Sequence, residues 1–304
     1  MQKKELNEYY VFERNDWTAL GDGISLNQDE LANTDFIGSK DELQKSYVPL
    51  AELISMKISA AASIKEKESE FLRIGRNRPA YVIALAGSVA SGKSCFAENL
   101  CRLLSMSPWN LKAKCVTTDG FLFPNRELER RGILDRKGFP ESYDSAALAD
   151  FAMNAKTGNP CSSPVYSHET YDIVEEKRLK LPEGLDAVII EGICTLQSSQ
   201  SEGRRALKDI ADLRIYIDAD ERHIYSWYEN RVFSLITKAK QTKTGFYTRY
   251  ASKTDDEIKS SAADVWKRIN LKNLIEFIEP TKFAADIIVR KAQNHAISKV
   301  LIRR

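Results

Sequence analysis

Residues 81–94 read YVIALAGSVASGKS. Tyr81 to Ala86 is a short apolar run with β-branched residues, the pattern of a strand buried on both faces of a parallel sheet. Gly87-Ser88-Val89-Ala90-Ser91-Gly92-Lys93-Ser94 follows at once and fits G-x-x-x-x-G-K-[ST], the phosphate-binding loop. Gly87 and Gly92 let the backbone bend so that successive N–H groups point at one anion. Lys93 has the reach for β- and γ-phosphates, and the Ser94 hydroxyl suits Mg²⁺. Residues 94–104 carry helical apolar spacing, so a helix N-terminus adds positive potential at the phosphates. Strand, loop and helix occur in the order that separates this motif from a chance Gly/Ser turn.

Outward from this stretch, the 304 residues suit one large α/β domain with additions. A net charge of +2 gives no global case for nucleic acid or a membrane surface. Five cysteines without CxxC spacing point to reduced, mostly buried thiols. The N-terminus lacks an apolar signal region and no run reads as a membrane span, so a cytoplasmic protein is expected.

Residues 1–78 form an N-terminal helical extension, with Phe12, Trp17, Leu20 and Phe36 docking on the main domain. Its main helix spans 41–74, and Pro49 kinks it or marks its start. Further strands are expected at 114–118, 186–190, 213–217 and 285–289, with helices at 144–157, 220–239 and 257–279. The alternation implies a parallel central sheet flanked by helices, and residues 79–304 form the core of a single domain built on the phosphate loop. A lid is expected at about 232–256, its polar 240–256 stretch containing Gly245, Phe246, Tyr247 and Tyr250.

Phosphoryl transfer needs a phosphate cradle, a metal, a group to orient or deprotonate the acceptor, and positive charge on the transferring group. Asp119 and Glu191 each follow a strand beside the loop; either could hold Mg²⁺ through water or act as base. His168 shares a Pro-flanked loop with Tyr166, a place suited to substrate binding. His223 and His295 fall in expected helices and read as structural. Arg231 reads equally as a transition-state arginine or a helix-surface charge. Arg130, Arg131, Arg136 and Lys137 lie near the mouth of the site, but their charge pattern alone favours a solvated basic face.

GSVASGKS, TTDGF at 117–121, RKGFPESYD at 136–144, PVYSH at 164–168, IIEGI at 189–193, WYENR at 227–231, WKRIN at 266–270 and NHA at 294–296 together resemble the bacterial type I pantothenate kinases. The resemblance runs from FERNDW at 12–17 over nearly the whole chain. It implies a homodimeric P-loop kinase that uses ATP and Mg²⁺ to phosphorylate the 4′-hydroxyl of pantothenate, the first step of coenzyme A synthesis. It further implies that Gly87 to Cys95 bind the ATP phosphates, Ser94 and Glu191 serve the metal, and Asp119 is the catalytic aspartate. By the same resemblance, Lys93 and Arg231 are expected to stabilise the transferring phosphate, and Tyr166, His168, Tyr228 and Asn270 match positions around pantothenate and the regulatory ligand. The chain departs from the family pattern at Cys95, Cys194, Val232 and Leu235, and at Glu98, where coenzyme A-binding members carry arginine. A carboxylate there implies weakened feedback inhibition. The rival readings are a related nucleoside or sugar-phosphate kinase, and a nucleotide-binding regulatory protein without turnover.

Overall fold

The computed structural model describes residues 7–75, 79–199, 203 and 205–304. Its strands are Tyr9–Glu13 (β1), Tyr81–Gly87 (β2), Ala113–Thr117 (β3), Ser162–Ser167 (β4), Asp172–Lys180 (β5), Ala187–Glu191 (β6), Leu213–Ala219 (β7), Ile287–Lys291 (β8) and Ile297–Arg303 (β9). Seven form one sheet in the order β1-β9-β8-β7-β2-β6-β3, and β4 pairs with β5 as a separate hairpin. The stretch from β8 to β3 is parallel, while β9 and β1 are added antiparallel.

The parallel part follows from strands apolar on both faces. In β2, Val82, Ala84 and Ala86 face a layer with Leu148, Phe151 and Ala152 of the helix Ser145–Thr157. Ile83 and Leu85 face the other layer, against Phe96, Leu100 and Leu104 of the helix Lys93–Leu104. That second layer is completed by Leu50, Ala51 and Ile54 of the long helix Lys40–Leu72. Two helical layers over a central sheet put the carboxyl ends of β2, β3, β6 and β7 at one edge, where open α/β sheets bind ligands.

Several expectations need correction. The antiparallel strands β1 and β9 and the β4–β5 hairpin are not among the expected strands; β5 is DIVEEKRLK, whose exposed charges hide the strand period. Trp17 is buried, its Nε1 donating to the Ser46 carbonyl at 2.9 Å, and Phe12 and Phe36 pack on the core, but Leu20 is 54% exposed. Pro49, by contrast, stands where it was expected to matter: the helical stretch Lys40–Leu72 passes through a wide π-turn at Leu43–Tyr47, and the proline falls in the first turn of the regular run Val48–Leu72 that follows. This helix is also long and apolar enough to cross a membrane by length and composition, contrary to expectation, yet 44% of its apolar window is buried within the fold. His295 lies not in a helix but in the β8–β9 turn, with φ 66°. The helix carrying Arg231 runs on to Thr242, into the expected lid, and the last helical region is broken by π-turns at Trp266–Asn270 and Leu274–Ile278.

Candidate active site

The loop between β2 and its helix turns through left-handed backbone at Ala90 and Gly92, with φ 60° and 79°. Gly87 (φ 151°) has a second reason to be glycine, since a Cβ would lie 2.8 Å from the Ile217 carbonyl on the adjacent β7. Inside the loop, Ser91 Oγ and Lys93 Nζ both donate to the Ser88 carbonyl at 2.8 Å. Ser88 Oγ is buried and has no partner among the described residues. A buried hydroxyl without a partner, set in a phosphate-binding loop, fits a phosphate oxygen as acceptor.

Glu191 ends β6, the neighbour of β2, and accepts from Ser94 Oγ at 2.8 Å. Burial pushes its carboxyl up, while Lys93 and the bond from Ser94 pull it down. Burial lowers the Lys93 ammonium, and Glu191 and Asp119 oppose that shift. Ser94, Glu191 and Asp119 therefore supply a hydroxyl and two carboxylates near the loop. That is a hard oxygen set of the kind that suits Mg²⁺ when phosphates and water complete the shell.

Asp119 is half-buried at the start of the turn Thr118–Phe121, its N–H bonded to Thr117 Oγ1 at 3.3 Å. Phe121 anchors that turn in the core beside Phe151, ring centroids 5.4 Å apart. Asp144 N–H donates to the Phe121 carbonyl and Phe123 N–H to the Ser142 carbonyl, so the DGF and ESYD stretches are tied together. Two glycines permit the close approach: a Cβ on Gly120 would lie 2.2 Å from the Pro164 carbonyl, and one on Gly192 would lie 1.8 Å from Thr118 Oγ1.

A cleft of about 1720 Å³ opens at this edge. Val89, Ala90, Lys93, Ser94, Asp119, Tyr166, His168, Glu191, Tyr228, Arg231 and Asn270 all line it, as do Glu98, Val232 and Leu235. Of the remaining loop residues, Gly87, Ser88 and Ser91 are buried, Gly92 is half-buried, and Cys95 is exposed on the helix that follows. Arg231 has no carboxylate partner among the described residues and so offers an uncommitted guanidinium. Tyr228 packs against Trp266 at 5.4 Å; burial raises its hydroxyl, and Asn270, at the end of the π-turn, lies close enough to oppose that rise. Tyr166 meets His168 edge-on at 5.2 Å.

Sequence reasoning missed part of this wall. Lys137 Nζ donates to Asn125 Oδ1 and the Tyr171 carbonyl, at 2.7 and 2.6 Å, and lies over the Tyr166 and Tyr171 rings. Burial lowers its pKa. Arg130 and Arg131 instead pair with Glu127, and Arg136 with Glu141. Thus the basic run splits into three surface pairs and one cleft lysine, a division that charge pattern cannot make. Phe246 stacks on Tyr171 at 4.4 Å and its N–H bonds the Glu169 carbonyl at 2.8 Å, so the 246–250 segment rests on the β4–β5 hairpin. The hairpin itself was the unread element, and with it this contact.

Residues 82–231 match the phosphoribulokinase/uridine kinase family. The fold is also that of the D-glycerate 3-kinase of Cryptococcus neoformans, with TM-score 0.57 and 12% identity over 83% of this chain and 98% of that one. Pantothenate kinase of Ligilactobacillus salivarius is 38% identical over 97% of this chain and 98% of its own length. Pantothenate kinase of Bacillus velezensis is 39% identical over the whole of both chains. Identity at this level over full length, around a complete phosphate loop, places the chain in the pantothenate kinase family.

Proposed function

We propose that this protein is a pantothenate kinase, transferring the γ-phosphoryl group of ATP to the 4′-hydroxyl of pantothenate at the entry to coenzyme A synthesis. The observation that carries the reading is full-length identity of 38% and 39% to proteins of that name. The convergence of Asp119, Arg231, Tyr166, His168, Tyr228 and Asn270 on the cleft of Lys93 and Ser94 supports it.

In this reading the loop amides, Lys93 and Ser88 hold the polyphosphate, and Ser94 and Glu191 hold Mg²⁺. The metal supplies charge neutralisation on the phosphate oxygens when bound. Asp119 orients the acceptor hydroxyl and accepts its proton as the O–P bond forms. Arg231 places its free guanidinium where charge gathers on the transferring group. Tyr166, His168, Tyr228 and Asn270 match a small, polar, hydroxylated acceptor by hydrogen bonding, and the 246–250 segment closes over it as a lid. Rate arises from positioning and electrostatics. Coenzyme A, in this reading, inhibits weakly, since the Glu98 carboxylate lines the cleft and repels its phosphates. The protein acts in the cytoplasm as a homodimer.

The test is ADP release from Mg·ATP with and without pantothenate, on wild type and Asp119→Asn, and with coenzyme A added. Pantothenate-dependent release that falls about 10²–10⁴-fold in the variant is the expected result. No pantothenate-dependent release in protein that binds ATP would overturn the substrate assignment. Full inhibition at low coenzyme A would overturn the reading of Glu98.

A further inference from the structure

In β8, Ile287 and Val289 face the layer that holds Phe96, Leu100 and Leu104. Two residues on, the same face receives Lys291, only 6% exposed. Alternation calls for an apolar side chain there, and a buried ammonium persists only with a partner. Its partner is not a carboxylate: Nζ donates to the Ser91 carbonyl of the phosphate loop at 3.0 Å.

The backbone is shaped for this reach. The β8–β9 ladder slips here, Arg290 standing opposite Lys299 but Lys291 opposite Ile297, which leaves Ser298 as the extra residue of a bulge. Bulges beside functional sites re-aim side chains. The N-terminal extension pins the turn from outside: Ile297 N–H donates to Glu42 Oε1 at 2.7 Å, and Arg14 bonds both Glu42 and the Ile297 carbonyl. The fit is tight, since a Cβ on Gly92 would come within 3.0 Å of Lys291 Nζ.

Resting on the reading of this loop as a nucleotide phosphate site, we infer that Lys291 is a positioning residue for phosphate binding. It holds the Ser91 C=O away from the ligand. The peptide is planar, so the Gly92 N–H on the opposite side of the same unit is held toward the anion. The ammonium also places a second positive charge under the loop, beside Lys93. Burial lowers Lys291 to about 8; Cys95 raises it, Lys93 lowers it further and Glu42 raises it. A polyphosphate arriving in the loop favours the charged form.

The experiment is calorimetric titration of ATP, ADP and adenosine into wild type, Lys291→Met and Lys291→Arg, without pantothenate, together with steady-state kinetics. Lys291→Met is expected to weaken ATP and ADP about tenfold or more. Adenosine affinity and the KM for pantothenate stay unchanged, and Lys291→Arg recovers most of the loss. If Lys291→Met does not fold, Lys291→Gln, a neutral donor of similar reach, carries the comparison with a smaller loss of the same selectivity. Equal ATP affinity in wild type and the neutral variants overturns the inference alone. A parallel loss for adenosine and pantothenate also overturns it, by making Lys291 a general structural residue. Absence of ATP binding by wild type overturns the phosphate-site reading on which it rests.

Discussion

Lys291 carries a chemical signature that can be separated from its role toward nucleotide. Its folded pKa is lowered from the ordinary 10.5 to about 8, chiefly by burial. Between those values the unfolded chain holds a proton that the folded chain has released, so stability from this group rises with pH across that window. Below about 8 both states are charged and the whole burial penalty is present. Wild type is therefore expected to gain on Lys291→Met from pH 8 to pH 10, by about 2 kcal/mol. Parallel denaturant titrations of the two proteins measure it, and a difference that stays flat with pH would show that Lys291 is not strained by burial. Taking the difference between variants cancels the opposing drift from buried tyrosines and cysteines such as Tyr171 and Cys194, each pushed up to about 12 by burial.

At the scale of elements, the site depends on how closely the strand ends approach one another. Gly192, just after β6, meets Thr118, just after β3 and fully buried. A Cβ there would overlap Thr118 Oγ1 at 1.8 Å, and neither strand end can retreat without moving Glu191 or Asp119. Gly192→Ala is expected to cost about 1–3 kcal/mol, the usual range for overpacking a core. It also lowers kcat by displacing both carboxylates. Thermal unfolding and kinetics measure the two effects, with Thr118→Ala in the same chain recovering part of each. An unchanged melting temperature in Gly192→Ala would refute the argument.

The whole molecule leaves one face of its longest helix unexplained by its own core. Met56, Ile64, Phe71, Leu72 and Ile74 are exposed along and just beyond Lys40–Leu72, Phe71 by 85%. Buried Leu50, Ala51, Ile54 and Ile58 account for the other face. An apolar strip of this length supports the proposed homodimer. Phe71→Glu with Leu72→Glu is expected to convert a dimer to a monomer in sedimentation analysis without loss of helical signal. A wild type that is monomeric at micromolar concentration would remove that part of the proposal.

Much of this protein could be read from local pattern alone. The loop at 87–94, the parallel strands at 81–87, 187–191 and 213–219, and the strand-end acids Asp119 and Glu191 all announce themselves by short-range rules of period, glycine placement and order. The pantothenate kinase resemblance rests on such stretches too, and the full-length relatives agree with it. Other features depend on partners distant in sequence. The β5 segment is a strand because it pairs with β4, although its charges conceal the period. Lys137 became a cleft residue and Arg130 and Arg131 surface pairs through contacts with Tyr171 and Glu127, which composition does not distinguish. Lys291 lies two residues past the strand expected at 285–289, and nothing in its neighbours marks it. Only the sheet, by setting β8 two strands from the strand that feeds the phosphate loop, with the β9 bulge opposite its last residue, brings that ammonium under Ser91, because burial and reach are properties of packing and not of spacing along the chain.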